Sequence, residues 1–412
     1  MQEVASQHIV VQDFPAGRPS LRLSVVTETW PPEVNGVALT LARLVNGLCA
    51  RNHQVQLVRP RQTGLDLAQS DIGFEEVLMR GMPIPRYPQL KMGLPAKKAL
   101  LSAWAVHRPD LVHIATEGPL GWSALQAALR LRLPVSTDFR TNFHAYSQHY
   151  GVGWLRKPIV AYLRKFHNLS HCTMVPTRAL CAELLSNGFQ NLRVVARGVD
   201  TALFRPDQRS EALRGQWGAN EHSLVLLVVG RIAAEKNLDA ATAAFDAMRA
   251  QHVDVKLVFV GSGPLQAALQ QRCPEAIFAG SRSHGELAGF YASADLLLFP
   301  SLTETFGNVT LEALASGLPV LAFNTAAACD WVLHDRSGWL VDGNETEAFA
   351  AQAGELARQP HRLNEARLHA RTHVAQLDWH QIAVQVEGVF LETMARQSDQ
   401  IDLRGAELIR ER

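Results

Sequence analysis

The sequence predicts an α/β protein of two domains, each with a parallel β-sheet covered by helices on both faces. Three observations support this fold class: a length of 412 residues, the spacing of short apolar segments, and a restart of that spacing midway along the chain. A chain of this length exceeds the size at which a single core usually keeps growing. Apolar segments without strict alternation, interleaved with Ala- and Leu-rich segments, are typical of buried parallel strands and their covering helices.

Two series of predicted strands follow each other along the chain. The first comprises residues 21–28, 55–60, 110–116, 133–139, 172–177 and 192–200. The second comprises residues 223–230, 255–261, 276–280, 295–300, 319–323 and 338–342. Between them, residues 198–206 lose both helical and strand periodicity, so we place the boundary there, with one domain over residues 1–198. Ligands of open α/β sheets bind beyond the carboxyl ends of the strands, which predicts a cleft between the two domains.

Charge is distributed unevenly between the two halves. The net charge is +1, but residues 1–198 carry 22 basic and 12 acidic side chains, a balance of +10, and the remainder carries 18 and 27, a balance of −9. The basic half is therefore expected to face an anionic surface or substrate, although two ordinary solvated faces would give the same totals. A hydrophobic fraction of 47% and a charged fraction of 19% exclude a disordered or collagenous chain.

Cysteine usage and apolar segments bear on the compartment. The five cysteines show no short paired spacing, which indicates a reducing compartment and no structural zinc site. The N-terminus lacks the apolar core of a secretory signal, and no apolar segment approaches the roughly 20 residues that span a bilayer. We therefore expect a cytoplasmic protein that can still lie on a membrane surface.

The segment FPSLTETFGNVTLEALASGLP, residues 299–319, reads as a strand, a loop and a helix. Glu304 and Glu312 lie eight residues apart across this junction, the first in the loop and the second about one turn into the helix. Backbone N–H groups of residues 305–308 would point beyond the helix N-terminus, a position suited to an anion. The segment thus resembles a clamp for a polyhydroxylated anion. The alternative is that both acids are merely solvated.

Two further segments suit phosphate binding. PPEVNGV, after the first strand, places Gly36 where the chain turns into a helix, and a glycine there lets the backbone approach a phosphate. VVGRIAAEKNLD supplies Arg231 and Lys236 after the first strand of the second series. A guanidinium and an ammonium together suit a diphosphate. The sequence contains no Asp-x-Asp pair, so we expect no metal at this site and assign charge neutralisation to these side chains and helix ends.

Two segments of the basic half favour contact with an acceptor. Residues 135–151 contain Arg140 and His144 among other polar and aromatic side chains, a mixture that suits an acceptor-binding wall or proton transfer. Residues 153–168 combine large apolar side chains with four cations, as in a helix that rests on anionic lipid. An ordinary amphipathic helix with its apolar side in the core would carry the same pattern.

Taken together, these segments identify a resemblance. ETFGNVTLE, GRIAAEKN and ETWPPEVNGV resemble motifs of the retaining, nucleotide-sugar-dependent glycosyltransferases of the GT-B fold, in the large family that includes bacterial mannosyltransferases and sulfolipid or glucolipid synthases. IATEGPLG (residues 114–121) and YASADLLLFPS (residues 291–301) also look like family segments. The resemblance implies two facing Rossmann-like domains, residues 1–198 for the acceptor and residues 199–377 for the donor. A C-terminal helix in residues 378–412 would cross back to the first domain.

The resemblance also implies roles for individual residues. Arg231 and Lys236 would bind the donor diphosphate, and Glu312 would hold the ribose hydroxyls. Glu304 would engage the donor sugar. Gly36 would face the β-phosphate from the acceptor domain. The remaining donor-binding positions, which would contact the sugar and the β-phosphate through their backbone, are Phe306, Gly307, Asn308 and Val309.

One position departs from the family pattern. Relatives often carry histidine in the order Phe-His-Thr, where this chain has Phe139, Arg140 and Thr141. Arginine stays protonated and cannot act as a base, but it can stabilise a phosphate or an anionic acceptor. His144, four residues on, is the candidate to take over part of the histidine's role.

The resemblance implies a metal-independent hexosyltransferase without a cofactor. The donor would be of the GDP-mannose or UDP-glucose type, and the acceptor a hydroxyl of a membrane lipid or lipid-linked glycan. We expect peripheral contact with the inner face of the cytoplasmic membrane and no nucleic-acid partner. A sugar-nucleotide epimerase, or a non-catalytic membrane-associated scaffold, could share this architecture.

Overall fold

The computed structural model describes residues 20–33, 35–63, 65–69, 73–84, 87–140, 156–251, 254–410. It contains two parallel sheets, one formed by the first half of the chain and one by the second, and a small antiparallel hairpin. The predicted α/β class with two parallel sheets is therefore confirmed.

The first sheet has seven strands in the order β3-β2-β1-β6-β7-β8-β9. Its strands and those of the hairpin are β1 (Arg22–Val26), β2 (Gln54–Pro60), β3 (Glu75–Met79), β4 (Gly81–Ile84), β5 (Tyr87–Gly93), β6 (Leu111–Ile114), β7 (Val135–Asp138), β8 (Cys172–Val175) and β9 (Leu192–Val194). The helices of this half are α1 (Gly36–Ala50), α2 (Lys97–Val106), α3 (Pro119–Arg130), α4 (Arg156–Asn168) and α5 (Arg178–Ser186). Strand β1 lies between β2 and β6, so both its edges are paired, and four of its five residues are buried.

The second sheet has six strands in the order β12-β11-β10-β13-β14-β15. They are β10 (Leu224–Val229), β11 (Val255–Val260), β12 (Ile277–Gly280), β13 (Leu296–Phe299), β14 (Val320–Phe323) and β15 (Gly338–Val341). The helices are α6 (Glu211–Gln216), α7 (Leu238–Arg249), α8 (Gln266–Arg272), α9 (His284–Ser293), α10 (Asn308–Ala315), α11 (Ala326–Trp331), α12 (Thr346–Arg358), α13 (Pro360–Ala370) and α14 (Trp379–Arg410). Strand β10 is buried along its whole length, as expected from its uninterrupted apolar sequence.

The predicted strands and the observed ones differ at two places. The edge strand β3 and the β4–β5 hairpin were not predicted, because Glu75 and Glu76 in β3 and prolines in the hairpin argue against strands. The strand predicted over residues 192–200 ends at Val194. The chain beyond it carries Arg197 and leads out of the sheet towards the second half.

The chain crosses between the two halves at two adjacent points. The first crossing is at Val199, whose N–H donates to the carbonyl of Leu377 over 2.8 Å, and Val199 also bridges to Asp378. The long helix α14 then packs against α1, so closely that a Cβ on Gly47 would lie 2.9 Å from the Cβ of Ala383. The last helix therefore returns to the first half of the chain. In the described part of the chain, no helix has both the length and the apolar character needed to cross a bilayer.

A buried charge cluster fixes this helix against the first half. Arg51 Nε donates to Glu387 Oε2 over 2.8 Å, and His53 Nε2 lies 3.1 Å from Glu387 Oε1. The N–H of Leu21 donates to His53 Nδ1, so the imidazole is neutral with its proton on Nε2, which donates to the carboxylate. Burial lowers the pKa of His53, in agreement with this neutral form. The Glu387 side chain is only 7% exposed.

Glu387→Ala should destabilise the protein by about 3 kcal/mol or more, because it leaves the buried Arg51 charge without its carboxylate. Glu392→Ala, five residues along α14, is the matched control. Its carboxylate is 61% exposed and lies 3.7 Å from Arg193, so its loss should change stability by less than about 1 kcal/mol. Thermal and urea unfolding measure both effects. Equal midpoints for the two variants would contradict the assigned role of Glu387.

Candidate active site

A cleft of about 760 Å³ opens where the carboxyl ends of the two sheets face each other. The first half contributes residues that follow β1, β6, β7 and β9, and the second half contributes Lys236, Phe299 and residues 304–309. Apart from Lys91 and Met92 of β5, which also line the cleft, these positions follow strand ends, where α/β sheets place their ligands. The cleft is therefore the candidate site.

On the second-half wall, Lys236 forms an ion pair with Glu304. The two residues are held together by their loops. The Leu302 N–H donates to the carbonyl of Glu235 over 3.1 Å, and Ser301 Oγ donates to Glu304 Oε1 over 2.9 Å. Lys236 Nζ also lies 5.6 Å from the centroid of the Phe299 ring. The Lys236 ammonium group is thus held in place at the wall of the cleft, where it can also interact with an anionic ligand.

The loop after Glu304 leads into α10, whose first residues line the cleft. Gly307 precedes the helix with φ of +92°, a left-handed conformation that favours glycine, and a Cβ there would lie 3.1 Å from the Phe299 ring. No side chain caps the helix at this residue. Asn308 and Val309 also line the cleft. An uncapped helix N-terminus of this kind attracts an anion.

Glu312 lies in the second turn of α10, behind the surface of the cleft. Its Oε2 accepts a hydrogen bond from the Tyr291 hydroxyl over 2.8 Å, and its Oε1 lies 3.7 Å from His284 Nε2. Burial raises the pKa of the Glu312 carboxyl and raises that of Tyr291 well above its usual value. Neither Glu304 nor Glu312 is a merely solvated acid, because their side chains are each only 12% exposed.

Arg231 and Gly36 occupy opposite sides of the site. Arg231 follows β10 and, with Lys236, borders a small depression beside the main cleft. Its side chain is 48% exposed, with Nη1 4.0 Å from Glu235 Oε1. Gly36 is the first residue of α1 and lines the cleft. A Cβ on Gly36 would meet no atom within 4 Å. Space above this helix end is therefore open.

Glu28, at the end of β1, is a site residue that the sequence-based assignment of roles passed over. Its Oε1 accepts a hydrogen bond from the Leu120 N–H over 2.8 Å, at the start of α3. Burial raises the pKa of Glu28 to about 7, against backbone hydrogen bonds that lower it, and the charge of Glu117 adds to the rise. A Cβ on Gly118 would come within 2.1 Å of Glu28 Oε2. A carboxyl that titrates near neutrality in a cleft suits a hydroxyl ligand.

Glu117 is a second acid on the same wall as Glu28, and its side chain is buried. Its carboxylate lies 3.4 Å from His167 Nε2, and the Tyr162 hydroxyl donates to its backbone carbonyl. His167 Nδ1 in turn lies 2.9 Å from Thr137 Oγ1. These contacts join β6, β7 and α4 into one buried polar network. Glu28 and Glu117 both line this wall of the cleft, and the Glu117 carboxylate is buried against His167.

Two arginines complete this wall. Arg140, which follows β7, is buried and lies with Nη2 2.5 Å from Asp138 Oδ2. Arg197, which follows β9, is also buried, with its guanidinium 5.9 Å from the centroid of the Phe306 ring on the opposite wall. His144, the candidate partner of Arg140, lies outside the described residues. Arg197 was missed although it directly precedes the predicted boundary between the domains.

The predicted roles of the site residues stay predictions, but the structure brings most of the described ones together. Lys236, Glu304, Arg140 and Gly36 line the cleft, as do residues 306–309. Arg231 and Glu312 lie at its edge and behind it. Among the residues that the structure describes, no three His, Cys, Asp or Glu side chains converge as metal ligands.

The two facing sheets define the GT-B fold, and solved structures similar to this chain include glycosyltransferases of that fold. Sucrose-phosphate synthase from Thermosynechococcus elongatus is similar with a TM-score of 0.74 at 19% sequence identity, over 91% of this chain and 100% of that one. At this identity the likeness shows the fold alone.

Sequence comparisons identify the family. Residues 34–203 match "Glycosyltransferase Family 4" and residues 223–359 match "Glycosyl transferases group 1". A GDP-mannose-dependent alpha-mannosyltransferase of Mycobacterium tuberculosis is 31% identical over 92% of this chain and 99% of its own length. The alpha-monoglucosyldiacylglycerol synthase of Streptococcus pneumoniae is 28% identical over 73% of this chain and 71% of its own length. The chain belongs to this glycosyltransferase family, which confirms the resemblance seen in its motifs.

The raised pKa of Glu28 predicts a pH-dependent stability. The usual value near 4.5 rises to about 7 in the folded protein, so the stabilisation that neutral Glu28 provides below pH 4.5 is lost as pH rises through this window. Glu28→Gln stays neutral throughout. Between pH 4.5 and 7, the free energy of unfolding of the variant should therefore rise relative to that of the wild type, by up to about 3 kcal/mol. Unfolding at pH 5, 6, 7 and 8 measures this difference.

Glu355→Gln, on the exposed side of α12, is the control for this measurement and should show a constant difference from the wild type over the same range. If the stability difference between Glu28→Gln and the wild type were also constant with pH, Glu28 would have an ordinary pKa in the folded protein.

Proposed function

We propose that this protein transfers a hexose from a nucleoside diphosphate sugar to a hydroxyl of a membrane lipid or lipid-linked glycan, with retention of anomeric configuration and without a metal. The observation that carries the proposal is the position of Lys236 and the uncapped N-terminus of α10 on one wall of the cleft, facing carboxylates on the other. The first wall suits an anionic donor and the second suits a hydroxylated acceptor.

The donor is assigned to the GDP-mannose or UDP-glucose type. The relatives from Mycobacterium tuberculosis and Streptococcus pneumoniae, a GDP-mannose-dependent alpha-mannosyltransferase and an alpha-monoglucosyldiacylglycerol synthase, support this range. The diphosphate would lie between Lys236, Arg231 and the N-terminus of α10. Glu312 would hold the ribose hydroxyls from behind, and Glu304 would hold a sugar hydroxyl. Gly36 would face the β-phosphate across the cleft.

The proposed reaction breaks the bond between the sugar C1 and a phosphate oxygen and forms a bond between C1 and the acceptor oxygen on the same face. The acceptor proton passes to the leaving diphosphate. Cleavage of the C1–O bond places negative charge on the diphosphate in the transition state, beside Lys236 and the N-terminus of α10. Holding donor and acceptor in contact supplies much of the remaining acceleration. No protein nucleophile is required.

A lipid acceptor fits the surface of the basic half. Helix α4 buries Leu163 and Phe166 in the core, so this part of its apolar side is not free for a membrane. Lys157 is exposed on the same helix, and the Tyr162 side chain is 42% exposed. These groups, with the +10 charge balance of residues 1–198, support peripheral contact with an anionic membrane, for which the inner face of the cytoplasmic membrane is the proposed place.

The proposal is tested by incubating the protein with GDP-mannose, UDP-glucose or ADP-glucose and vesicles that contain anionic lipid, diacylglycerol and a glycosyl diacylglycerol, with EDTA present. We expect a glycosylated lipid from one donor, with the anomeric configuration of that donor by NMR. A product that forms only after Mg²⁺ is added would contradict the metal-free assignment. An isomerised donor without a glycosylated lipid would indicate an epimerase. Absence of both products, with donor binding also absent by thermal shift, would indicate a scaffold.

Two acids of the donor wall should matter for this transfer. Glu304→Ala removes the partner of Lys236, and Glu312→Ala removes the proposed ribose contact. Each should lower kcat/KM for the donor by at least about tenfold, a change of roughly 1.4 kcal/mol. Glu355→Ala, which removes an exposed carboxylate from the same half of the chain, should leave kcat/KM unchanged. Wild-type turnover in both Glu304→Ala and Glu312→Ala would remove these acids from the site.

A further inference from the structure

Arg140 and Arg197 bring two buried positive charges to the acceptor wall of the cleft. They follow β7 and β9, whose carboxyl ends lie at the same edge of the first sheet. Their residues are only 5% and 8% exposed, yet both line the cleft. Arginines are rarely buried to this extent without paired carboxylates.

Within the described part of the chain, only Arg140 of the two has a carboxylate partner. Asp138 lies 2.5 Å from Arg140 Nη2, while Arg140 Nε and Nη1 are buried without an acceptor. Arg197 has no carboxylate among the described residues within 4 Å and lies over the Phe306 ring instead. Burial and the charge of Arg140 lower the pKa of Arg197 to about 10, although the charges of Asp138 and Glu304 act in the opposite direction. Arg197 therefore stays charged at neutral pH.

This arrangement leaves a positive charge and donor groups that a ligand can satisfy. A buried donor without an acceptor costs about 1–3 kcal/mol, and more when the group is charged. Guanidinium groups bind the paired oxygens of a carboxylate or phosphate. On the side away from the cleft, the two arginines border a void of about 20 Å³ beside α1 and α14. That void has room for about one water molecule, so an oxyanion must enter from the cleft.

The position of the pair separates it from the diphosphate clamp. Lys236 and the N-terminus of α10 belong to the opposite wall, and Arg197 faces that wall through Phe306. Between them lies the space assigned to the transferred sugar and the acceptor. An oxyanion bound by Arg140 and Arg197 would therefore be carried by one of these two substrates rather than by the donor diphosphate.

We propose that Arg140 and Arg197 form a second anion site, which binds a carboxylate or phosphate group carried by the acceptor or by the transferred sugar. This assignment rests on the proposed glycosyl transfer, since it places the anion on a substrate of that reaction. It makes anionic glycosides or phosphorylated alcohols the preferred substrate class over their neutral counterparts.

Calorimetric titration with matched probes tests the site: glucuronate against glucose, and glycerol 3-phosphate against glycerol. In the presence of saturating GDP, UDP or ADP, whichever the wild type binds, we expect an anionic probe to bind the wild type and its neutral counterpart not to bind. Arg140→Gln and Arg197→Gln should each weaken that binding at least about tenfold. Arg205→Gln, which removes a 48% exposed arginine paired with Asp207, should leave it unchanged.

Two further measurements show which substrate carries the anion and whether the arginine variants are folded. If the transferred sugar carries it, UDP-glucuronate should bind the wild type more tightly than UDP-glucose, and Arg140→Gln should remove this preference. If the acceptor carries it, the free probes bind beside the nucleotide as above. Nucleotide binding should survive in Arg140→Gln and Arg197→Gln and weaken in Lys236→Gln, which shows that the first two variants are folded.

The outcomes distinguish the second site from the proposed function. A wild type that binds none of GDP, UDP and ADP would overturn glycosyl transfer and the second site with it. A wild type that binds nucleotide, but shows no preference for any anionic probe or for UDP-glucuronate, would overturn the second site alone. The second site alone would also be overturned if Arg140→Gln and Arg197→Gln both kept the wild-type preference for the anionic probe.

Discussion

The site depends on a single structural constraint, the pair of adjacent chain crossings that joins the two halves. Val199 and Asp378 lie side by side where the chain passes out of the first half and back towards it. Glu387, buried against Arg51 and His53, then fixes the returning helix. Because both crossings occur at one place, the carboxyl ends of the two sheets face each other and their loops share one cleft. Neither sheet alone presents a donor wall and an acceptor wall.

The two walls use charge in different ways. On the donor wall, Lys236 and Glu304 neutralise each other at the surface, so that an incoming diphosphate exchanges one partner of the lysine for another. On the acceptor wall, burial raises the pKa of Glu28 to about 7, and Arg140 is buried beside one carboxylate, that of Asp138. Burial on the acceptor wall therefore favours the protonated form of Glu28 and leaves N–H donors of Arg140 without an acceptor until a ligand binds.

The sequence predicted the α/β class and most of the donor wall because those features are local. Strand β13, its loop and α10 are contiguous, and so are the end of β10 and Lys236. It could not predict contacts that join distant segments. Glu28 is buried against Gly118 and the start of α3, about 90 residues away, and Arg197 faces Phe306 across the cleft. The strands β3 to β5 were missed since acids and prolines at a sheet edge weaken the strand pattern. His144 lies outside the described residues, so its role stays a prediction.

The paired crossings have a consequence for motion. Two covalent connections at one point, with Gly198 so close to Trp379 that a Cβ would lie 2.7 Å from the indole, restrain sliding of one sheet past the other. A rotation about the line through Val199 and Asp378 changes few contacts by comparison, and hinges of domain pairs are commonly formed by such short segments. Arg197 lies two residues from that axis and faces Phe306 of the other wall. A small rotation would therefore widen the mouth of the cleft much more than it would separate these two side chains.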